Sequence, residues 1–98
     1  MFEVSLQSDA EDELNAAAIF YELRQPGLGE TFLNEVASCL ELLSEFPFVG
    51  SVAFDDYRKY LLNHFPYGVF YRIDDQQVLV LAIAHSSRRP GYWRDRIS

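Results

Sequence analysis

The N-terminal part of the chain changes from a period of two to a helical period. Phe2, Val4 and Leu6 are separated by polar residues, which is typical of a short strand with one buried face. Ser8-Asp9-Ala10-Glu11 has the composition of a capping box, in which a hydroxyl and a carboxylate satisfy free amides at a helix start. A helix is therefore predicted from this segment to Pro26-Gly27, and its apolar face consists of Ala10, Leu14, Ala17, Ala18 and Tyr21.

A second helix is predicted directly after this break. Its apolar stripe has helical spacing and consists of Phe32, Val36, Leu40 and Leu43. Phe46-Pro47 and the following Gly50 end the stripe. Because the link between the two helices is short, they are expected to form an antiparallel hairpin. Cys39, the only cysteine, lies within this stripe, so core packing is favoured over a disulfide.

The second half of the chain is rich in β-branched and aromatic residues. They occur in three runs, Tyr57 to His64, Gly68 to Ile73 and Val78 to Ala84. Pro66-Tyr67-Gly68 separates the first two runs, and Asp74-Asp75-Gln76-Gln77 supplies a polar turn between the last two. Three consecutive antiparallel strands are therefore predicted.

The predicted element order is β-α-α-β-β-β, which is an α+β fold. An N-terminal strand and an antiparallel helical hairpin are expected on an antiparallel sheet, with both helices on one face and a short C-terminal tail or helical turn. Ninety-eight residues with 49% hydrophobic content suffice for one core and are too few for two domains. Residues 1–98 are therefore expected to form a single domain.

The charge of the chain is unevenly distributed. The net charge is −7, which by itself argues against a nucleic-acid partner. Residues 1–56, however, contain twelve Asp and Glu against one Arg, whereas residues 57–98 contain seven Lys and Arg against three Asp. The acidic residues are interpreted as the solvated faces of the helices. The basic second half is the part of the chain where an anionic partner could bind.

Targeting and cofactor signals are not found in the sequence. The apolar runs are far shorter than the roughly 20 residues that a membrane-spanning helix needs. The N-terminus carries Glu3 where a signal peptide has a basic segment, so a cytoplasmic location without a membrane partner is expected. Neither a Cys/His cluster with metal-ligand spacing nor a phosphate-binding glycine loop is present. No metal or other cofactor is therefore expected.

Four parts of the chain together resemble a known family. They are Arg24-Gln25-Pro26-Gly27-Leu28-Gly29, Tyr57-Arg58-Lys59, Phe65-Pro66-Tyr67 with Phe70-Tyr71, and His85-Ser86-Ser87-Arg88-Arg89-Pro90-Gly91-Tyr92-Trp93. These segments resemble the ParE family of plasmid-stabilisation toxins, within the RelE superfamily. The resemblance implies a helical hairpin on an antiparallel sheet, as the periodicity also predicts. It further implies a toxin that arrests growth and is neutralised by a small antitoxin encoded beside it, with which it is expected to oligomerise.

Three residues near the predicted end of the last strand are candidates for chemistry. His85 could act as a general base toward a ribose hydroxyl, or it could be a structural histidine hydrogen-bonded to the following turn. Arg88 and Arg89 follow it, and guanidinium groups suit a phosphate or a carboxylate. The structural alternative is a salt bridge to the acidic helices.

The last aromatic residues are candidates for an interface. Tyr92 and Trp93 are followed by Arg94 and Arg96, a composition that can stack bases or anchor a protein partner. Trp93 is expected to pack on the sheet, whereas Tyr92 and the arginines are expected to stay accessible.

The basic residues of the strands bear on whether the chain is a nuclease. Arg58 and Lys59 point to opposite faces of their strand, so only one of them can face the helices. A structural role is favoured for His64. RelE-like ribonucleases resemble one another in a metal-free cluster of basic residues on the strands. Here that cluster is thin, because Lys59 is the only lysine and Gly68 occupies a position where nuclease members tend to have arginine.

Three functions are therefore considered. The favoured one is a ParE-like toxin that binds and poisons DNA gyrase, with target or partner contacts from Arg88, Arg89, Tyr92, Trp93, Arg94 and Arg96. The alternative is a RelE-like endoribonuclease that cleaves mRNA on the ribosome with Arg58, His85, Arg88 and Tyr92. The third is a degenerate family member that binds an antitoxin without being toxic.

Overall fold

The computed structural model describes residues 1–96 and has the predicted element order with one additional strand. The elements are β1 (Glu3–Leu6), α1 (Ser8–Arg24), α2 (Leu28–Glu45), β2 (Ser51–Phe54), β3 (Tyr57–Leu61), β4 (Tyr67–Asp74), β5 (Gln77–His85) and a short 3₁₀ turn (Arg94–Arg96). The α+β fold class, the helical hairpin and the C-terminal helical turn are confirmed.

The sheet has five strands in the order β1-β5-β4-β3-β2. The pairs β3–β4 and β4–β5 are antiparallel, as predicted. Pairing of β1 with β5 is parallel, with Val4 beside Val78, so the sheet is mixed rather than wholly antiparallel. Strand β2 was not predicted, because it is only four residues long and lacks a clear alternation. It forms a hairpin with β3 through a turn in which Asp55 has φ of 50°.

The helix starts are stabilised differently from the expected capping box. The N-cap of α1 is Gln7 and no side chain caps it, so Ser8 lies one position too far into the helix for the predicted role. At the start of α2, the Glu22 carboxylate accepts hydrogen bonds from the backbone N–H groups of Gly27 and Gly29, at 2.9 and 3.1 Å. Four amides at a helix start lack helical partners, and Glu22 supplies an acceptor for two of them from the preceding helix.

The two helices cross closely at Gly29. A Cβ atom at this position would lie 2.5 Å from the carbonyl oxygen of Ala18, so no larger residue fits without movement of a helix. This contact and the short link fix the antiparallel hairpin.

The main core lies between the helical hairpin and one face of the sheet. Its helical part includes Ala10, Ala17 and Ala18 of α1 and the predicted stripe of α2, in which Cys39 is buried as expected. The strand residues packed against the helices are Val69, Tyr71, Val78, Val80 and Ile83. Burial of these side chains is the main source of stability.

The opposite face of the sheet carries a smaller apolar cluster. It consists of Leu81, Ala82, Ala84 and Trp93, with Phe70, Tyr57 and Tyr92 packed against it. The β4–β5 register shifts between Phe70 and Tyr71, which leaves Leu81 as the extra residue of β5. Because of this irregularity, the consecutive residues Leu81 and Ala82 both belong to the cluster on this face.

A buried tyrosine fixes the connection from α2 to β2. The Tyr71 hydroxyl donates to the Pro47 carbonyl oxygen at 2.7 Å and accepts from the Gly50 N–H at 3.0 Å. None of the helices in the described part of the chain is both long and apolar enough to cross a membrane.

Candidate functional site

A groove of about 620 Å³ lies on the sheet face that the helices leave uncovered. Gly68 and Phe70 of β4 and Ala84 of β5 belong to its floor, and Gly68 pairs with Ala84 in the strand register. One wall includes Phe54, Lys59 and Leu61, and the other is the C-terminal segment 88–94. A groove of this size matches the volume of ordinary ligand pockets.

The groove has a positive lining in an acidic protein. Lys59, Arg88, Arg89 and Arg94 line it together with His85. Among residues 1–96, those that line the groove include no Asp or Glu. The basic second half of the sequence therefore places its cations around one concavity, and this field favours an anionic ligand.

The C-terminal wall is shaped by Gly91. This residue has φ of 76°, in the left-handed region, and a Cβ atom there would lie 2.5 Å from Cδ of Arg94. The turn places Trp93 on the sheet with 2% of its surface exposed, as expected from the sequence. Its ring meets Tyr57 edge-on at 5.0 Å between centroids and contacts Phe70 at 5.1 Å.

Two of the groove arginines are stacked on aromatic rings. The Arg88 guanidinium carbon lies 3.7 Å from the centroid of Tyr92, and that of Arg94 lies 3.6 Å from the centroid of Phe54. Stacking leaves the N–H edges of a guanidinium available for an anion while its face covers the ring. The rings of Tyr92 and Phe54 therefore serve as supports for cations.

His85 is hydrogen-bonded to the turn that follows its strand. Its Nδ1 accepts a hydrogen bond from the Ser87 N–H at 3.0 Å, and the Ser87 hydroxyl lies 2.8 Å from the same atom. Because a backbone N–H can only donate, Nδ1 carries no proton in the neutral ring, and the proton is on Nε2. In this tautomer Nε2 is a hydrogen-bond donor.

Arg96 and Tyr92 are bound to a carboxylate that the sequence did not single out. Glu13 of α1 accepts from Arg96 Nη1 at 2.9 Å and Nη2 at 3.0 Å, and also from the Tyr92 hydroxyl. The expected accessibility of Arg96 was wrong, because its side chain is only 17% exposed and is paired internally. A salt bridge to the acidic helices was considered for Arg88 and Arg89, and in the structure it is Arg96 that makes one, with Glu13 of α1.

The same carboxylate binds the backbone of β5 where this strand extends past the end of its neighbour β1. Glu13 accepts from the Ile83 N–H at 3.0 Å, and Arg96 donates to the Leu81 carbonyl oxygen at 3.0 Å. Two side chains therefore satisfy backbone groups that a longer β1 would have bound. Ala10 and Leu14 could be identified in the sequence, because they belong to the apolar face that predicts α1. Nothing in the sequence distinguishes Glu13 from the other acidic residues of this helix.

The ionisation of Glu13 and Tyr92 follows from this arrangement. Burial alone would raise the pKa of Glu13, but the hydrogen bonds from Arg96, Tyr92 and the Ile83 N–H outweigh it and hold the pKa below its usual value. Burial and the adjacent Glu13 carboxylate raise the pKa of the Tyr92 hydroxyl. At neutral pH Glu13 is charged and the tyrosine hydroxyl is a donor.

Arg58 and Lys59 lie on opposite faces of β3, as predicted. Arg58 is on the helix side and donates to the Gly50 carbonyl oxygen at 2.7 Å, whereas Lys59 lines the groove. His64 binds Glu35 through Nδ1 at 2.7 Å, which agrees with the structural role favoured for it. Within the described residues, no group of three or more His, Cys, Asp or Glu side chains is arranged to hold a metal ion.

The sequence matches a known family over most of its length. The model of the ParE toxin of type II toxin–antitoxin systems, parDE, matches residues 4–90. The chain belongs to the ParE toxin family. A comparison with curated proteins finds no significant match.

Two solved structures share the fold of this ParE-family chain. A chain of the chromosomal ParDE toxin–antitoxin system from P. aeruginosa has a TM-score of 0.77 at 16% identity, covering 87% of this chain and 96% of that one. A chain of the intact E. coli RelBE toxin–antitoxin complex has a TM-score of 0.67 at 20% identity, covering 90% and 100%. At such identities the likeness establishes the fold.

The fold brings together only part of each residue set that was predicted for this ParE-family chain, the nuclease set and the partner-binding set. His85, Arg88 and Tyr92 of the nuclease set line the groove, but Arg58 lies on the other face of the sheet. Of the partner-binding set, Arg88, Arg89 and Arg94 are exposed at the groove, while Trp93 is buried below them.

Proposed function

We propose that this ParE-family toxin arrests growth by binding DNA gyrase through the C-terminal wall of the groove, without cleaving RNA. The observation that carries the proposal is the way its cations are held. Arg58 is absent from the groove and Arg96 is paired with Glu13. Of the described residues that line the groove, Lys59, Arg88, Arg89 and Arg94 are the cations that remain for a ligand. The loss of Arg58 and Arg96 from the groove supports a surface that binds a partner over a site that must stabilise the charge developing on a scissile phosphate.

The state of His85 also supports a binding function. A metal-free ribonuclease needs a proton acceptor next to the attacking hydroxyl. The Nδ1 lone pair of His85 is already used by the Ser87 N–H, and Nε2 carries the proton of the neutral ring. The Tyr92 hydroxyl, another member of the nuclease set, donates to Glu13. Neither group is therefore available as a base in this geometry.

The silencing partner is proposed to be a small antitoxin that lies on α1. Three large apolar side chains follow one another on the outer face of this helix, with exposures of 61% for Ile19, 49% for Phe20 and 83% for Leu23. Phe20 directly follows Ile19 and Leu23 lies one helical turn later, so the three side chains form a single stripe along the helix. A contiguous exposed stripe fits a helix-in-groove or similar contact with a protein partner. Because the first half of the chain is strongly acidic, the antitoxin segment that covers the stripe should be basic.

Expression in a bacterium tests the toxin and its target class together. The chain expressed alone should stop growth, and coexpression of the antitoxin encoded beside its gene should restore growth. Gyrase poisoning should induce a DNA-damage reporter while protein synthesis continues at first. Early loss of protein synthesis together with cleaved mRNA would favour the ribonuclease function. The structural observation that supports this alternative is the positively charged lining of the groove. Normal growth at verified expression of folded protein would favour the degenerate member.

Variants separate the two proposed surfaces. Leu23→Asp should preserve growth arrest and abolish rescue by the antitoxin, because a carboxylate would be placed in the apolar contact. Arg94→Ala should weaken growth arrest and leave antitoxin binding unchanged. The matched control for growth arrest is Arg24→Ala, since Arg24 is also stacked on an aromatic ring but lies outside the groove. Because that ring is Phe20 of the α1 stripe, this control is read for growth arrest and not for antitoxin binding. If Leu23→Asp is still fully rescued, the antitoxin does not bind the α1 stripe.

A further inference from the structure

The apolar floor and charged rim of the groove differ in what they offer a ligand. Leu61 and Phe70 supply large apolar side chains, and Gly68 with Ala84 keeps the floor free of bulky side chains between them. Arg88, Arg89 and Arg94 are exposed at the opening. A ligand that fills this groove must therefore present apolar groups toward the sheet and negative groups toward solvent.

The aromatic residues of the groove are poorly suited to base stacking. Proteins that bind single-stranded nucleic acids offer free ring faces on which bases stack. Here guanidinium groups cover a face of Tyr92 and of Phe54, and Trp93 is 2% exposed. The exposed features are therefore guanidinium edges, which match the geometry of carboxylates as well as phosphates.

We propose that the groove binds an extended acidic segment of a partner protein, in which carboxylate side chains alternate with large apolar ones. Successive side chains of an extended peptide point in opposite directions. One set would contact the floor around Phe70, and the other would reach Lys59, Arg88 and Arg94. The absence of acidic residues from the described lining gives the groove a charge that complements such a segment. This inference extends the proposed function, since it names the kind of protein segment that the groove holds.

The occupant is a short segment, because the groove is small. About 620 Å³ is within the range of pockets for small ligands and is too little for a folded element of a partner. His85 adds a neutral donor at Nε2, which suits a carboxylate and does not require the ring to be charged. Binding by dispersed cations over an apolar floor should weaken, but not vanish, as salt is added.

Peptide binding to the purified chain tests the inference. The probe is a designed, fluorescein-labelled peptide of about twelve residues in which glutamate alternates with leucine and phenylalanine. Its binding is measured by fluorescence anisotropy. A matched probe has glutamine in place of glutamate, and a hexauridylate RNA provides a similar charge. The acidic peptide is expected to bind at least about tenfold more tightly than either, which is the scale of a single charge-assisted hydrogen bond.

Variants locate the binding. The double variant Lys59→Gln/Arg94→Gln should weaken binding of the acidic peptide about tenfold or more, whereas Arg24→Gln should not change it. Thermal melts establish that both variants are folded. Equal binding of the glutamine peptide, tighter binding of the RNA, an unaffected double variant, or no binding of the acidic peptide would each overturn the inference. The measurement uses no gyrase, so its outcome is independent of whether gyrase is the target.

Discussion

Replacement of Glu13 by alanine should destabilise the fold more than any other removal of one acidic residue from α1. Glu13 and Arg96 have side chains that are only 16% and 17% exposed. Removing the carboxylate leaves the Arg96 guanidinium, the Tyr92 hydroxyl and the Ile83 N–H without their acceptor. Loss of one partner of a buried pair costs about 3 to 5 kcal/mol, and the residual exposure places the expected loss near the lower limit, at about 3 kcal/mol.

This loss is a large part of the stability of a small domain, which is typically about 5 to 15 kcal/mol. The melting temperature of Glu13→Ala should fall by roughly 15 °C, given about 4 to 8 °C per kcal/mol for a chain of this size. Urea unfolding at pH 7, followed by far-UV circular dichroism, gives the free energy directly. Asp12→Ala removes an exposed charge from the neighbouring position and should change stability by less than about 0.5 kcal/mol. Equal losses for the two variants would refute the bridging role of Glu13.

The pH dependence gives this prediction a second arm. Because the pKa of Glu13 is lowered in the folded chain, its contribution to stability is complete above its usual value of 4.5 and is lost as the pH falls through the folded pKa. The difference in stability between the native chain and Glu13→Gln should therefore be constant near neutral pH and should shrink below about pH 4.5. A difference that does not change down to acid unfolding would show that the carboxylate charge contributes nothing.

Three further substitutions or reactions test the fold. Tyr71→Phe should cost about 1 to 3 kcal/mol in urea unfolding, because the Gly50 N–H and the Pro47 carbonyl oxygen lose their buried partner; a neutral effect would contradict the assigned hydrogen bonds. Gly29→Ala should lower stability by about 1 to 3 kcal/mol through the clash with Ala18, and an unchanged melting temperature would show that the helices separate easily. Burial, with a smaller effect of Glu35, raises the pKa of the Cys39 thiol to about 12. Its reaction with a disulfide reagent should therefore be at least about 100-fold slower in the native chain than in denaturant, and rapid native labelling would place the thiol at the surface.

The sequence predicts those parts of the fold that depend on local periodicity. The helical stripe from Phe32 to Leu43 and the long apolar strands carry signals many residues long, and all of them form as predicted. Strand β2 has four residues, and its pairing is decided by the turn at Asp55 and by the free edge of β3. The parallel pairing of β1 is likewise set by the path of the helical hairpin. Such nonlocal pairing has no counterpart in a local pattern.

The candidate site was predictable in composition but not in geometry. The basic residues near the C-terminus were identified, because residue types alone reveal a charged segment. Which of them remain free depends on partners distant in sequence. Arg96 is paired with Glu13, 83 positions away, and Arg94 is stacked on Phe54. Each of these contacts follows from the tertiary fold, and many acidic or aromatic residues could have taken the same role.

We propose that this ParE-family toxin acts on gyrase and not on RNA. The most direct measurement adds the purified chain to a DNA supercoiling reaction with purified gyrase and, in parallel, to ribosomes translating a defined mRNA. We expect supercoiling to be inhibited, the inhibition to be weakened by Arg94→Ala and retained by His85→Ala, and the mRNA to remain intact. Unaffected gyrase together with mRNA cleavage that is lost in His85→Ala would contradict the account and assign the chain to the ribonuclease branch of the superfamily.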